Sequence, residues 1–330
     1  MIRVEPRTVA VSGVLLAVSF LLLVLSVGTG EYEIPPGDVV ATLFGGGDSG
    51  TQFVIETLRL PRALTGLLVG AALGASGAIF QSITRNPLGS PDVIGFVQGA
   101  SAGAVLEIIA FGGGTFAIAA GAIVGGTVTA LVVYLLAMRD GVQGYRLVLI
   151  GIAIGMMLIA VTDYLLTRST LEEAQSAQVW LTGSLNGRGW EHVRPAAAAL
   201  LAVLPLVVLL SRPLRTLELG DDAARALGVG VERTRGALMF AAVALAAVAT
   251  ASAGPVVFVA LAAPQIARRL TRASGPGVGS AALLGAVLLL AADYASQRVF
   301  GGIQVPVGVL TGVLGGLYLI WLLTREWRTR

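Results

Sequence analysis

Apolar runs of about 20 residues recur along almost the whole chain, and this repetition constrains the fold more than any other feature. A helix of that length crosses the hydrocarbon core of a bilayer. Alternation of apolar and polar residues, which would mark a membrane-spanning barrel, is absent. The runs fall at about 8–28, 63–83, 92–111, 115–137, 146–166, 194–211, 236–254, 255–271, 278–299 and 305–323, which predicts about ten spans. The run near 92–111 is glycine-rich and carries Glu107; the one near 255–271 opens on Gly254-Pro255 and reads as bent or partly re-entrant. The first run follows Arg3 and Arg7 and is longer than a signal-peptide core, so it reads as a retained span. The expected fold class is an all-α integral membrane protein, with residues 1–330 forming one transmembrane domain.

Composition narrows the chemistry. The mean hydropathy is +0.85 and only 12% of residues are charged. With no cysteine, disulfides, thiolate metal sites and cysteine nucleophiles are excluded. The single histidine, His192, excludes a multi-histidine metal site; lying beside Trp190 and Glu191 at a membrane edge, it reads as a surface residue. No catalytic set and no metal site is predicted, and no cofactor is expected on the chain. A net charge of +3 spread over many loops does not suggest nucleic-acid binding. No G-x-x-x-x-G-K-[ST] phosphate loop is present, so ATP hydrolysis by that route needs another chain.

Orientation follows from arginine placement. An even span count puts sixteen arginines on the side of both termini: Arg3, Arg7, Arg85, Arg139, Arg146, Arg212, Arg215, Arg225, Arg233, Arg235, Arg268, Arg269, Arg272, Arg325, Arg328 and Arg330. The other side receives six: Arg59, Arg62, Arg168, Arg188, Arg194 and Arg298. Both termini are therefore expected in the cytoplasm. Glycines at four-residue spacing (Gly66, Gly70 and Gly74; Gly121 and Gly125; Gly151 and Gly155; Gly308, Gly312 and Gly316) suggest close helix packing, and a conduit-facing role for some is open. The carboxylates within spans are Glu107, Asp163 and Asp293, open to ion coupling or to structural polar contacts. Asp163 and Asp293 are expected near the outer ends of their spans, within reach of water.

One polar stretch interrupts the pattern: "LELGDDAARALGVGVERTR", Leu217 to Arg235, within a cytoplasmic loop at about 212–235. Asp221 and Asp222 are good N-cap residues, Ala223 to Leu227 favour helix, and Gly228 suits the left-handed position after a helix. Ala223 and Leu227, four apart, share a small apolar face. A short helix with its own start and stop signals suggests a docking element. A solvated connector and a site for anionic headgroups are the alternatives.

This stretch resembles the cytoplasmic loop of FecCD-type permeases, from ABC importers of ferric siderophores, haem and cobalamin. "LRLPRALTGLLVGAALGASGAIFQSITRNPLGSPDVIG" (Leu58 to Gly95) is similar to the family's second span and following loop. "VWLTGSLNGRGWEHV" (179–193), "GPVVFVALAAPQIARRL" and "QVPVGVLTGVLGGLYLIWLL" resemble later segments in order. The chain departs from the family pattern at Gln265, Gln297, Gln304 and Gly316.

The resemblance implies a type II ABC importer permease in a prokaryotic inner or plasma membrane, carrying iron chelates such as ferric siderophores. Haem or cobalamin import and an ion-coupled secondary transporter are the alternatives. It implies ATPase subunits holding ATP and Mg²⁺, an extracytoplasmic substrate-binding protein, and a second permease chain, identical or homologous. Asp221, Asp222, Ala223, Arg225, Ala226, Leu227 and Gly228 would form the coupling helix seated on the ATPase. Arg59 and Arg62 of "RLPR", with Arg298, would meet the binding protein. Gln81, Ser82 and Asn86, at the inner end of the second span, are open to a gating role.

Overall fold

The computed structural model describes residues 5–30, 34–43, 45–46, 48–92, 94–138, 144–299 and 304–327. Arg3, Arg139, Arg328 and Arg330, used above for orientation, lie outside them. The described residues form helices α1 (Pro6–Gly28), α2 (Pro36–Leu43), α3 (Ser49–Gln52), α4 (Leu60–Thr84), α5 (Phe96–Leu106), α6 (Thr115–Ala137), α7 (Gly144–Arg168), α8 (Leu171–Leu181), α9 (Trp190–Leu209), α10 (Ser211–Leu217), α11 (Asp221–Ala226), α12 (Val231–Ala253), α13 (Val259–Thr271), α14 (Val278–Ser296) and α15 (Val307–Trp327). Two π-helical segments, Phe53–Arg59 and Glu107–Phe111, continue into α4 and out of α5. Among the described residues, seven helical stretches are long and apolar enough to span a bilayer; Phe96–Phe111 and Val307–Trp321 are shorter apolar helices.

Burial sorts the spans into an inner and an outer set. In the stretch that contains α4, 78% of the most apolar window is buried within the chain, and in α12 72%; in α1 it is 11%. The reason is side-chain size. α4 presents Gly70 and Gly74 to α14, where a β-carbon would collide with the backbone at Gly285 and Ala281. Gly285 is crowded in turn by the Gly70 carbonyl, so the two backbones meet directly. Gly103 and Gly125 bring α5 and α6 together in the same way. The glycines of α15 differ: Gly308 abuts the Thr182 carbonyl, whereas nothing lies close to Gly316.

The expected bend at Gly254-Pro255 is a full break. α12 ends at Ala253, Gly254 takes φ 73°, and the chain runs non-helically to Phe258, itself at φ 69°, before α13 begins. Proline removes a backbone donor and Gly254 takes the positive φ that turns the chain out of the helix, so the two together end it here. The Asp92 carboxylate, in the loop before α5, accepts from the freed Phe258 N–H at 3.4 Å.

Candidate functional site

Polar contacts collect at two ends of the bundle. At one end lies the α10–α11 segment. Its short helix starts at Gly220, which takes φ 108°, so Asp221 and Asp222 occupy the first helical turn and not the cap itself. Their charge still complements the amide dipoles there. Leu227 closes the helix, Gly228 follows at φ 80°, and the Val229 N–H bonds back to the Ala224 carbonyl.

The two adjacent aspartates point in different directions. Asp222 is fully exposed and pairs with Arg225, at 3.0 Å. Ala223, Arg225, Ala226, Leu227 and Gly228 are exposed as well, and Leu219 and Leu227 each keep over two-thirds of their surface. Asp221 turns inward: its Oδ1 accepts from Arg235 of α12 at 2.8 Å and lies 3.5 Å from Arg85, just past the end of α4. Arg235 is buried and also reaches Glu232 at 3.5 Å.

Glu218 makes a second inward link that sequence reading missed. Its Oε1 accepts from Ser82 of α4 at 2.8 Å and from Arg268 of α13 at 3.2 Å. Arg268 also donates to the Ser82 Oγ. Beside it, Gln265 donates to the Gln81 Oε1 and to the Pro87 carbonyl, which gives that departure from the family pattern a structural use. A cavity of about 280 Å³ opens among Ser82, Arg85, Asn86, Glu218, Gln265 and Arg268.

The opposite end holds Arg59, Arg62 and Arg298. Arg62 makes a two-pronged contact with Asp293 of α14, through Nε at 3.1 Å and Nη2 at 2.8 Å. Asp293 is therefore a buried partner of α4, not the water-facing carboxylate expected from its position. Gln297, another of the departures from the family pattern, donates to the same carboxylate at 2.9 Å. Arg59 is half-buried and donates to the Val27 carbonyl at 3.0 Å. Arg298 is exposed and lies over the Tyr294 ring, 4.7 Å from its centroid. His192 corrects another expectation: it is buried, with Arg188 donating to Nε2 at 3.0 Å and Glu191 3.2 Å from Nδ1.

Two cavities lie along the side of the bundle that includes α5, α7, α8 and α15. One, of about 440 Å³, is lined by Gln98, Ser101, Thr162, Asp163, Thr182 and Pro255, at the break between α12 and α13. The other, of about 850 Å³, is lined by Glu172, Glu173, Trp180, Asn186, Arg188 and Gln304. Thr182 borders both. Asp163 is exposed on its spanning helix, and the Gln98 Oε1 is buried without a hydrogen-bond partner. Among the described residues, no three acidic or histidine side chains gather as a metal site.

The model of the FecCD transport family matches residues 15–325. The chain belongs to that family. It is 47% identical over 330 residues to the ferric enterobactin transport system permease protein FepG of Escherichia coli K12, covering both chains completely. It is 38% identical to the achromobactin transport system permease protein CbrC of Dickeya dadantii, covering 98% of this chain and 94% of that one. A solved metal-chelate type ABC transporter in an inward-facing conformation superposes with a TM-score of 0.85 at 29% identity, over 96% of this chain and 99% of that one. This FecCD-family protein is thus a multi-pass membrane permease.

Proposed function

We propose that the chain is the membrane subunit of an ATP-driven importer of ferric siderophores in a prokaryotic cell membrane. The relatives' named cargoes support the iron-chelate class. On this reading α5, α13 and α15 complete about ten crossings, both termini are cytoplasmic, and the α11 end faces the cytoplasm. Residues 1–330 act as one transmembrane domain, with a coupling loop at about 212–235.

The observation that carries the proposal is the outward facet of α11. Asp222, Ala223, Arg225, Ala226, Leu227 and Gly228 stand clear of the bundle on a short capped helix, with Leu219 beside them. Exposed leucines in a polar loop beyond the bilayer are what a partner groove would cover. ATP and Mg²⁺ belong on that partner, the ATPase, and no cofactor on this chain. At the other end a binding protein would deliver the chelate. Arg298 is the best-exposed candidate for its docking. Arg59 and Arg62 lie deeper, and contact through Arg62 would have to share or displace Asp293. Such rim charges steer association more than they set affinity.

The two cavities bordered by Thr182 support a conduit along α5, α7, α8 and α15, closed by a second permease chain, identical or homologous. A carboxylate such as Asp163 is costly against lipid tails, and its exposed position suits a water-filled path. Affinity purification from native membranes tests the reading. An ATPase should accompany the wild type and be lost when Leu219 and Leu227 are both changed to Ala. A folded wild type that brings no ATPase would overturn it, and uptake driven by an ion gradient alone would favour a secondary transporter.

A further inference from the structure

Glu218 and Asp221 stand three residues apart, on either side of Gly220, and each bridges two helices of the bundle. Glu218 joins Ser82 of α4 to Arg268 of α13. Asp221 joins Arg85, at the end of α4, to Arg235 of α12. Among the described residues, α10 and α11 are further anchored by the buried side chains Leu214, Leu217 and Ala224 and by a hydrogen bond from Arg215 of α10 to the Ser274 Oγ at 2.8 Å. Gly220, at φ 108°, lies between the two carboxylates, where the absence of a β-carbon admits that backbone turn.

We propose that Glu218 and Asp221 are positioning residues that form the mechanical link between the α10–α11 segment and the spanning helices, each tying α4 to a second helix, so that displacement of α11 reaches α4, α12 and α13 together. The proposal rests on reading α11 as the ATPase contact.

The construction of α4 suits it to carry such a displacement. It is a 25-residue helix, about 37 Å long at the usual rise. Its middle is locked to α14 by backbone contact at Gly70 and Gly74, and its far end is pinned to α14 by Arg62 and Asp293. A pull on Ser82 and Arg85 is therefore transmitted along a rigid, packed rod. The adjacent aspartates divide the labour: Asp222 belongs to the exposed facet, and Asp221 faces the bundle.

The test uses the permease in proteoliposomes with its ATPase and binding protein, comparing wild type with an Arg85→Gln/Arg268→Gln variant. That variant leaves the α11 facet intact and breaks one arm of each bridge. We measure basal ATP hydrolysis, its stimulation by the loaded binding protein, and uptake of radioiron-loaded enterobactin. The link predicts basal hydrolysis within about twofold of wild type, with stimulation and uptake per ATP reduced about tenfold. The charge-exchanged pair Glu218→Arg/Arg268→Glu should recover part of that loss.

Unchanged stimulation and uptake per ATP would overturn the link, as would loss of the ATPase from the variant complex, which would make these arginines part of the docking surface. Should the double variant not fold, Glu218→Gln alone decides on the same readouts. A wild type that holds its ATPase but takes up no enterobactin would refute the cargo and leave stimulation to judge the link. A wild type without an ATPase would refute the function itself.

Discussion

The two polar ends of the bundle use the same residue types to opposite effect. At the Arg62 end, a carboxylate and a guanidinium are paired inside the protein, with Asp293 almost wholly buried. At the α11 end, Glu218 and Asp221 remain partly exposed, and each shares its oxygen between two helices. A buried pair fixes one helix against another and is costly to half-remove. A partly exposed carboxylate shared between two helices ties both to the same loop segment, with Arg235 buried behind Asp221. The first arrangement anchors and the second transmits.

Breaking the buried pair should give the largest effect. Arg62→Ala or Asp293→Ala alone is expected to cost about 3–5 kcal/mol, because either leaves a buried charge without its partner. The double change Arg62→Met/Asp293→Leu should restore most of it, as read by thermal unfolding in detergent. A single variant with unchanged unfolding but weaker association with the binding protein would move Arg62 from anchor to docking residue.

The α11 facet comes next. Leu219→Ala and Leu227→Ala should each weaken ATPase binding by about 1–2 kcal/mol with no change in unfolding temperature, since both side chains are exposed in the free chain. Titration of the purified ATPase measures this. At the opposite rim, Arg298→Ala should slow association with the binding protein by about two- to fivefold at low salt, and less at high salt. Stopped-flow measurement at two ionic strengths checks it.

Much of this was legible in the chain itself. Apolar runs of bilayer length fixed the helical class, because lipid leaves the backbone no other partners than its own. Gly254-Pro255 announced a bend between α12 and α13, and Asp221 to Gly228 announced a short isolated helix, because start and stop signals are local, although the cap fell on Gly220 and the bend is a full break. The exposed face shared by Ala223 and Leu227 followed from their spacing.

Tertiary structure decided what pairs with what. Nothing near Arg62 in the sequence points to Asp293, 231 residues away, and a water-facing role for each was the natural local reading. His192 was read as a surface residue because its neighbours are polar, yet packing buries it against Arg188. Glu218 carried no local mark: its partners Ser82 and Arg268 come from two other helices. Asp221 and Asp222 look alike as adjacent letters, and only the helix rotation turned one towards the bundle and the other away from it. Periodicity and caps act over a few residues and can be read in order; ion-pair choice depends on which helices cross, and glycine contacts such as Gly70 against Gly285 set that crossing in three dimensions.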